Sequence, residues 1–212
     1  MSKAVTCTLC DTRALFFCQF REKNYYHCIG CYSILLDPAE YLSPADEKER
    51  YDEHNNDVDD PGYRQFVKPL VDKVLQKYGS EAIGLDYGAG PGPVSAVLLR
   101  ERGLKIELYD PFYWNEQAVF DKKYDFIICC EVIEHFQAPA KEFKLLRSLL
   151  KPNGSLYCMT EIYTDGLDFS CWHYKNDPTH VFFYHRQALV WIKNECGFAK
   201  LTTDKRLIHL EL

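Results

Sequence analysis

The sequence predicts an α/β fold, a doubly wound and mainly parallel sheet, preceded by a small cysteine-bearing module. Three observations predict it. From Glu81 onward, strand-like and helix-like segments alternate, the order of a parallel sheet with crossover helices. A glycine-rich turn, Gly88-Ala89-Gly90-Pro91-Gly92-Pro93, separates the first of these strands from the first helix. Two Cys-x-x-Cys pairs, Cys7/Cys10 and Cys28/Cys31, stand apart from all this near the N-terminus.

Three segments follow, with no internal repeat. Residues 1–44 form the cysteine module, with short strands at Leu15-Phe16-Phe17 and Asn24-Tyr25-Tyr26. Residues 45–79 form a linker and helical segment. Its acid-rich first part, Pro44 to Pro61, reads as a solvated helix or linker. Tyr63, Phe66, Val67, Leu70, Val71, Val74, Leu75 and Tyr78 then repeat at helical spacing, with Gly79 as the stop and Pro69 expected to bend or restart the helix. Residues 80–212 form the α/β domain. Strands are expected at Ala82–Tyr87, Lys105–Tyr109, Tyr124–Cys130 and Ser155–Ile162, with two more between Phe198 and Leu212. Helices are expected at Val94–Arg102, Ala140–Leu150 and Arg186–Glu195, with a turn at Lys151-Pro152-Asn153-Gly154.

Composition narrows the function. The 212 residues are 47% hydrophobic and 26% charged, enough apolar material for a packed core. No apolar run approaches the ~20 residues that span a bilayer, and the first residues lack a secretory apolar stretch. The expected setting is cytoplasmic, with no membrane partner. A net charge of −6 leans away from nucleic acid, although a local basic patch would override it. In such a setting the ten cysteines read as metal ligands or buried small hydrophobes rather than disulfides, and Cys129, Cys130, Cys158, Cys171 and Cys196 take the buried reading.

The glycine turn is not a dinucleotide fingerprint, which would need a third glycine where Pro93 stands, and it lacks the Gly-Lys-Ser/Thr ending of a phosphate loop. Asp110 ends the next strand, where an acid can accept both hydroxyls of a ribose; a turn-capping Asp before Pro111 is the plainer alternative. Together, Asp86-x-Gly88-x-Gly90-x-Gly92, Asp110, the strand Tyr124–Ile128 and the run Leu150–Leu156 resemble the successive motifs of the Rossmann-like class I methyltransferases. The resemblance covers residues 80–212. It implies S-adenosylmethionine as cofactor, with Asp86, Gly88, Gly90 and Gly92 at the methionine moiety and Asp110, next to Pro111, at the ribose. One departure is the 13-residue gap between Asp110 and Tyr124, too short for the usual helix and strand, which leaves the adenine contacts unassigned.

After the strand ending at Cys130 comes Glu131-Val132-Ile133-Glu134-His135. If a helix begins here, positions 131, 134 and 135 share a face. The string resembles the ubiquinone-biosynthesis O-methyltransferases, which act on phenolic hydroxyls. It also resembles small-RNA 2′-O-methyltransferases, in which such a string and a downstream histidine bind a divalent ion. With His180 the set could hold Mg²⁺ or Mn²⁺; the plainer reading is a hydrogen-bonded wall without metal. Glu131 is expected at the cofactor or substrate, and His180 and His135 are the expected proton acceptors. His173 and His185 are weaker candidates.

The cysteine pairs are 17 residues apart, a spacing that lets two knuckles close a tetrahedral structural Zn²⁺ site from Cys7, Cys10, Cys28 and Cys31. His27 is a weak substitute ligand, and Cys18 reads as packing. The arrangement resembles bacterial stand-alone methyltransferases with an N-terminal cysteine module, which implies that Arg50-Tyr51-Asp52-Glu53-His54-Asn55-Asn56 lies across the cofactor pocket and that residues 45–79 cover it. The leading expectation is therefore O-methylation of a small-molecule hydroxyl. Metal-assisted RNA 2′-O-methylation is one alternative, and a non-catalytic, cofactor-sensing adaptor is another. The oligomeric state is left open.

Overall fold

The computed structural model describes residues 4–53 and 57–212; the expectations on His54, Asn55 and Asn56 lie outside them. The chain builds two sheets. The second supplies the floor of the α/β domain, in the order β10 (Lys200–Asp204), β11 (Leu207–Glu211), β8 (Leu150–Met159), β7 (Tyr124–Cys130), β5 (Ile83–Tyr87), β6 (Lys105–Tyr109). Pairs β5–β6, β5–β7 and β7–β8 are parallel, and the C-terminal hairpin adds two antiparallel strands. β6 is an edge. The short gap after Asp110 holds only a 3-10 turn, Gln117–Asp121, where the sequence left no room for a crossover.

Helices α2 (Pro61–Leu75) and α3 (Val94–Glu101) pack together on one core of the sheet, with Val67, Leu70, Val74, Phe126 and Ile128 fully buried. Each such aliphatic side chain contributes roughly 1.5–3 kcal/mol on burial. Helices α4 (Pro139–Leu149) and α5 (Arg186–Glu195) pack into the other core. Asp60 caps α2 through Tyr63 N–H at 2.6 Å, and Pro61 fills its first turn. The helix runs on through Pro69 without interruption and ends at Leu75, short of the expected Tyr78. The expected turn at 151–154 is instead a register shift within β8, with Asn153 at φ 63°, and β8 ends at Met159 rather than Ile162.

The N-terminal sheet runs β1 (Ala4–Thr6), β2 (Arg13–Phe20), β3 (Lys23–Cys28), β4 (Ile34–Leu36) and then β9 (Phe182–Phe183). Its last strand comes from late in the chain, so the cysteine module and the α/β domain share one apolar core, from Cys7 and Tyr26 to Phe183 and Ile192. The buried readings of Cys129, Cys158 and Cys196 hold, but Cys130 is only partly buried and Cys171 is exposed. Among the described residues, no helix is long and apolar enough to cross a membrane.

Candidate functional site

A cavity of about 1030 Å³ opens at the carboxyl ends of β5, β6 and β7, where ligands of open α/β sheets bind. Asp86, Gly88, Gly90, Gly92, Asp110, Pro111, Glu131, His135 and His180 all line it. The structure thus brings together every residue expected at the cofactor and the acceptor.

The glycine turn is shaped by backbone need. Gly88 has φ +81°, and a Cβ there would meet Val132 at 2.5 Å; Gly90 has φ +61° and open space where its Cβ would be. Asp110, 7% exposed, holds this turn: its Oδ2 accepts the Gly90 N–H at 3.0 Å, and Oδ1 accepts from Phe112 N–H at 2.9 Å and Tyr113 N–H at 3.2 Å. The turn-capping alternative is realised in these bonds, and the same carboxylate lines the cavity. Trp114 closes the same corner, donating Nε1–H to the Gly90 carbonyl at 2.7 Å. Asp86 is 3% exposed, and burial pushes its carboxyl up to about 7, against the lowering pull of Arg100 and the Ala96 amide.

The Glu-x-x-Glu-His string does not begin an α-helix. Glu131 sits at φ +54°, and Ile133–His135 make one 3-10 turn, so the three side chains do not share a helical face. Glu131 Oε2 is engaged by Arg206 and by the Tyr174 hydroxyl at 3.3 Å. Burial, then Glu134, raises Glu131 to about 8 although Arg206 pulls the other way. Glu134 is fully buried; Tyr174 donates to its Oε1, and its Oε2 has no hydrogen-bond partner among the described residues.

His135 Nδ1 is bonded to the Thr179 carbonyl at 3.1 Å, and His180 Nδ1 to the Tyr174 carbonyl at 2.6 Å. Those bonds place the proton on each Nδ1 and leave each Nε2 as the free lone pair. The two rings meet edge to face at 4.8 Å. Burial first, then His135, pushes His180 down to about 4, so it is neutral at pH 7. One ligand atom each from Glu134, His135 and His180 lie within 4.8 Å of one another; Glu131 is not in that group. His173 is exposed beside Glu161, and His185 caps α5 through Gln187 N–H at 3.2 Å.

The roof of the cavity comes from the segment expected to cover it. Helix α1 (Pro44–Asp52) contributes Glu47 and Tyr51, and Tyr51 packs edge-on against His135 at 5.4 Å and tilted against Phe112 at 5.9 Å. Arg50 ties α1 to Asp177 at 3.0 Å, and Tyr113 ties it through Asp52 at 2.6 Å. Among the described residues lining the cavity are six carboxylates and no lysine or arginine.

Outside the lining of the cavity, the four cysteines converge. Cys7 and Cys31 Sγ are 3.7 Å apart, and Cys10 and Cys28 Sγ 3.4 Å. A tetrahedron of Zn–S bonds of ~2.3 Å has edges of roughly 3.8 Å, so the donor set fits that ion. Gly30 N–H and Cys31 N–H both point at Cys28 Sγ at 3.4 Å, and a Cβ on Gly30 would strike Thr12 Oγ1 at 2.6 Å. Hydrogen bonds from Cys31, Cys7 and these amides favour the thiolate of Cys28. His27 is not in the cluster; it packs against Phe17 and Tyr32.

With fold and site in place, comparison identifies the class. Residues 60–203 match the methyltransferase domain family, and the chain belongs to it. The fold and family define an S-adenosylmethionine-dependent methyltransferase domain. Among curated relatives, the ubiquinone biosynthesis O-methyltransferase of Histophilus somni (strain 2336) is 30% identical over 95 residues, 43% of this chain and 40% of that protein. That of Pasteurella multocida (strain Pm70) is 30% identical over 100 residues, 43% of this chain and 41% of its own. The chain thus spans about two fifths of these relatives' length. In fold it resembles Burkholderia thailandensis 1,6-didemethyltoxoflavin-N1-methyltransferase, crystallised with bound 1,6-didemethyltoxoflavin and S-adenosylhomocysteine (TM-score 0.58, 14% identity, 92% of this chain and 98% of that one). An O-methyltransferase family protein from the same organism gives a TM-score of 0.55 at 16% identity, over 78% and 61% of the two chains.

Proposed function

We propose that this chain transfers the methyl group of S-adenosylmethionine to a hydroxyl oxygen of a small molecule. The observation that carries the reading is the convergence of the Gly88–Gly92 turn, Asp86 and Asp110 with His135 and His180 on one cavity. In this reading Asp86 and the bare backbone of the turn would hold the methionine end, where the buried Asp86 carboxyl is placed to pair with a cationic group. Asp110, with Pro111 beside it, presents its remaining lone pairs to the ribose hydroxyls. Glu131 closes the wall beside the donor, its carboxyl group held by Arg206.

The bound cofactor supplies an electrophilic methyl group, so the protein's task is alignment and exclusion of water. Tyr51, Phe112 and Phe136 shape the acceptor end for a flat apolar body. His180 Nε2, kept unprotonated by burial, accepts the hydroxyl proton as the oxygen attacks, and His135 Nε2 is the alternate acceptor. Carboxylate-only charge on the lining disfavours phosphate-bearing acceptors, which supports a small molecule over RNA. The four N-terminal cysteines hold a structural zinc ion that orders the ribbon. The segments act as a ribbon (1–44), a cavity-covering helical stretch (45–79) and a Rossmann-like transfer domain (80–212), working in the cytoplasm.

The approach of Glu134, His135 and His180 to within 4.8 Å, with both Nδ1 atoms held by carbonyls, favours a second reading. There a divalent ion, Mg²⁺ or Mn²⁺, would sit on these three side chains and take the acceptor oxygen. Incubation with methyl-labelled S-adenosylmethionine and a panel of phenols, catechols, amines and short RNAs tests the proposal. Label in a phenolic ether is the expected product; label only in an amine or in RNA overturns it.

A further inference from the structure

Val181 links the ribbon and the cavity directly. Val181 follows His180 in the chain, and both of its backbone groups are used. Its N–H donates to the Glu134 carbonyl at 2.9 Å, on the cavity side, and its carbonyl accepts Leu36 N–H at 2.9 Å, on the ribbon side. The next two residues are β9, paired with β4 through Ile34↔Phe183 and Leu35↔Phe182. A two-residue strand has no stability of its own; β4 is what keeps this one extended.

β4 in turn hangs from the second cysteine knuckle. Cys28 N–H donates to the Ser33 carbonyl at 2.9 Å and Tyr32 N–H to the Cys28 carbonyl at 3.0 Å. The fully buried Ser33 Oγ accepts His185 N–H at 3.1 Å. The rest of the ribbon grips the same loop from below. Lys23 Nζ donates to the Pro178 carbonyl at 3.1 Å, the buried Lys175 ammonium lies 3.8 Å over the Phe20 ring, and Phe169 packs on Tyr25 at 5.1 Å. By contrast, the glycine turn and Asp110 are held by β5, β6 and Trp114, with no ribbon contact among these bonds.

We propose that the cysteine ribbon is the positioning element for His180: the metal-closed Cys28–Cys31 knuckle fixes Ser33–Leu36, and that strand fixes residues 177–185 at the acceptor end of the cavity. Ser33 is the positioning side chain in this relay. The donor half of the cavity is independent of it. The inference rests on the proposed role of His180 at the acceptor end, and its consequence is a division of labour: the state of the ribbon sets acceptor geometry and leaves cofactor affinity alone.

The full chain is compared zinc-loaded, zinc-stripped with a chelator, as Cys28→Ser, and as zinc-loaded Ser33→Ala. Three readouts are backbone hydrogen exchange, calorimetric titration with S-adenosylhomocysteine, and the NMR titration of the His180 ring. Loss of zinc is expected to raise exchange over 181–185 by about tenfold or more while exchange over 83–88 barely changes. Affinity for S-adenosylhomocysteine should stay within about twofold, since no donor contact is lost. The His180 pKa should move from its depressed value toward that of an exposed histidine. Ser33→Ala, which keeps all four thiols, should give the same pattern at smaller size. Unchanged exchange over 181–185, cofactor affinity that falls in step with it, or a loaded protein that retains no zinc would each overturn the inference. Zinc-loaded protein that ignores S-adenosylhomocysteine while exchange still responds to zinc would instead sink the proposed function and leave the relay standing.

Discussion

Asp110 Oδ2 accepts the Gly90 N–H at 3.0 Å, so the carboxylate at the end of β6 also fixes the glycine turn at the end of β5. Two walls of the cavity are locked by one side chain. Replacing Asp110 with Ala removes the buried carboxylate that accepts three amide N–H groups and, in the proposed reading, the ribose contact as well. The expected loss of S-adenosylhomocysteine affinity is about 1.5–3 kcal/mol, the scale of hydrogen bonds to a charged group. Calorimetry on Asp110→Ala reads it directly; an unchanged affinity would restrict Asp110 to capping the turn.

Zinc is expected at about one ion per chain, with Cys7, Cys10, Cys28 and Cys31 as ligands. Elemental analysis of protein purified without chelator checks the stoichiometry. Because the ribbon shares its core with α5 and β9, stripping the metal should lower the melting temperature of the whole chain. An apo protein with an unshifted melting curve would show that the four thiols pack without metal.

The parts legible in the sequence are those governed by local rules. Glycine punctuation between a strand and a helix is local chemistry, so the turn, Asp86 and Asp110 were visible, as was α5, which spans Arg186–Glu195 as expected. The cysteine spacing carried the convergence of the four thiols in the same way. What could not be read depends on distant pairing. Ile34 and Phe183 meet only in the fold, and nothing in Phe182–Phe183 alone marks it as an edge strand of the ribbon. The acid-rich segment is expected over the pocket from its resemblance, but its sequence does not mark Tyr51 as the side chain that meets His135. Glu131 fooled the helical count because a residue at φ +54° breaks the spacing.

His180 and His209 are both held down to about 4, each by burial first. An unfolded histidine titrates near ~6.5. Between those values the unfolded chain binds protons that the folded chain refuses, so this stability is fully present above about 6.5 and is lost as pH falls toward 4. Thermal melts should fall between neutral pH and pH ~5, and the His180→Asn/His209→Asn protein should fall less steeply over that window. Equal slopes for the two proteins would contradict the assignment.

The two readings of the Glu134–His135–His180 group part on a manganese titration followed by electron paramagnetic resonance, with the ribbon zinc-loaded throughout. The leading reading expects no tightly held Mn²⁺ and only a modest fall in methyl transfer for Glu134→Gln. Stoichiometric Mn²⁺ binding that Glu134→Gln abolishes would move the assignment to the metal-assisted mechanism.

The most direct test of the central claim is titration of the intact, zinc-loaded chain with S-adenosylhomocysteine, read by calorimetry against NADH as the competing nucleotide. The account predicts a single micromolar site for S-adenosylhomocysteine, weakened in Asp110→Ala, and no heat from NADH. Binding of NADH with no response to S-adenosylhomocysteine would contradict it.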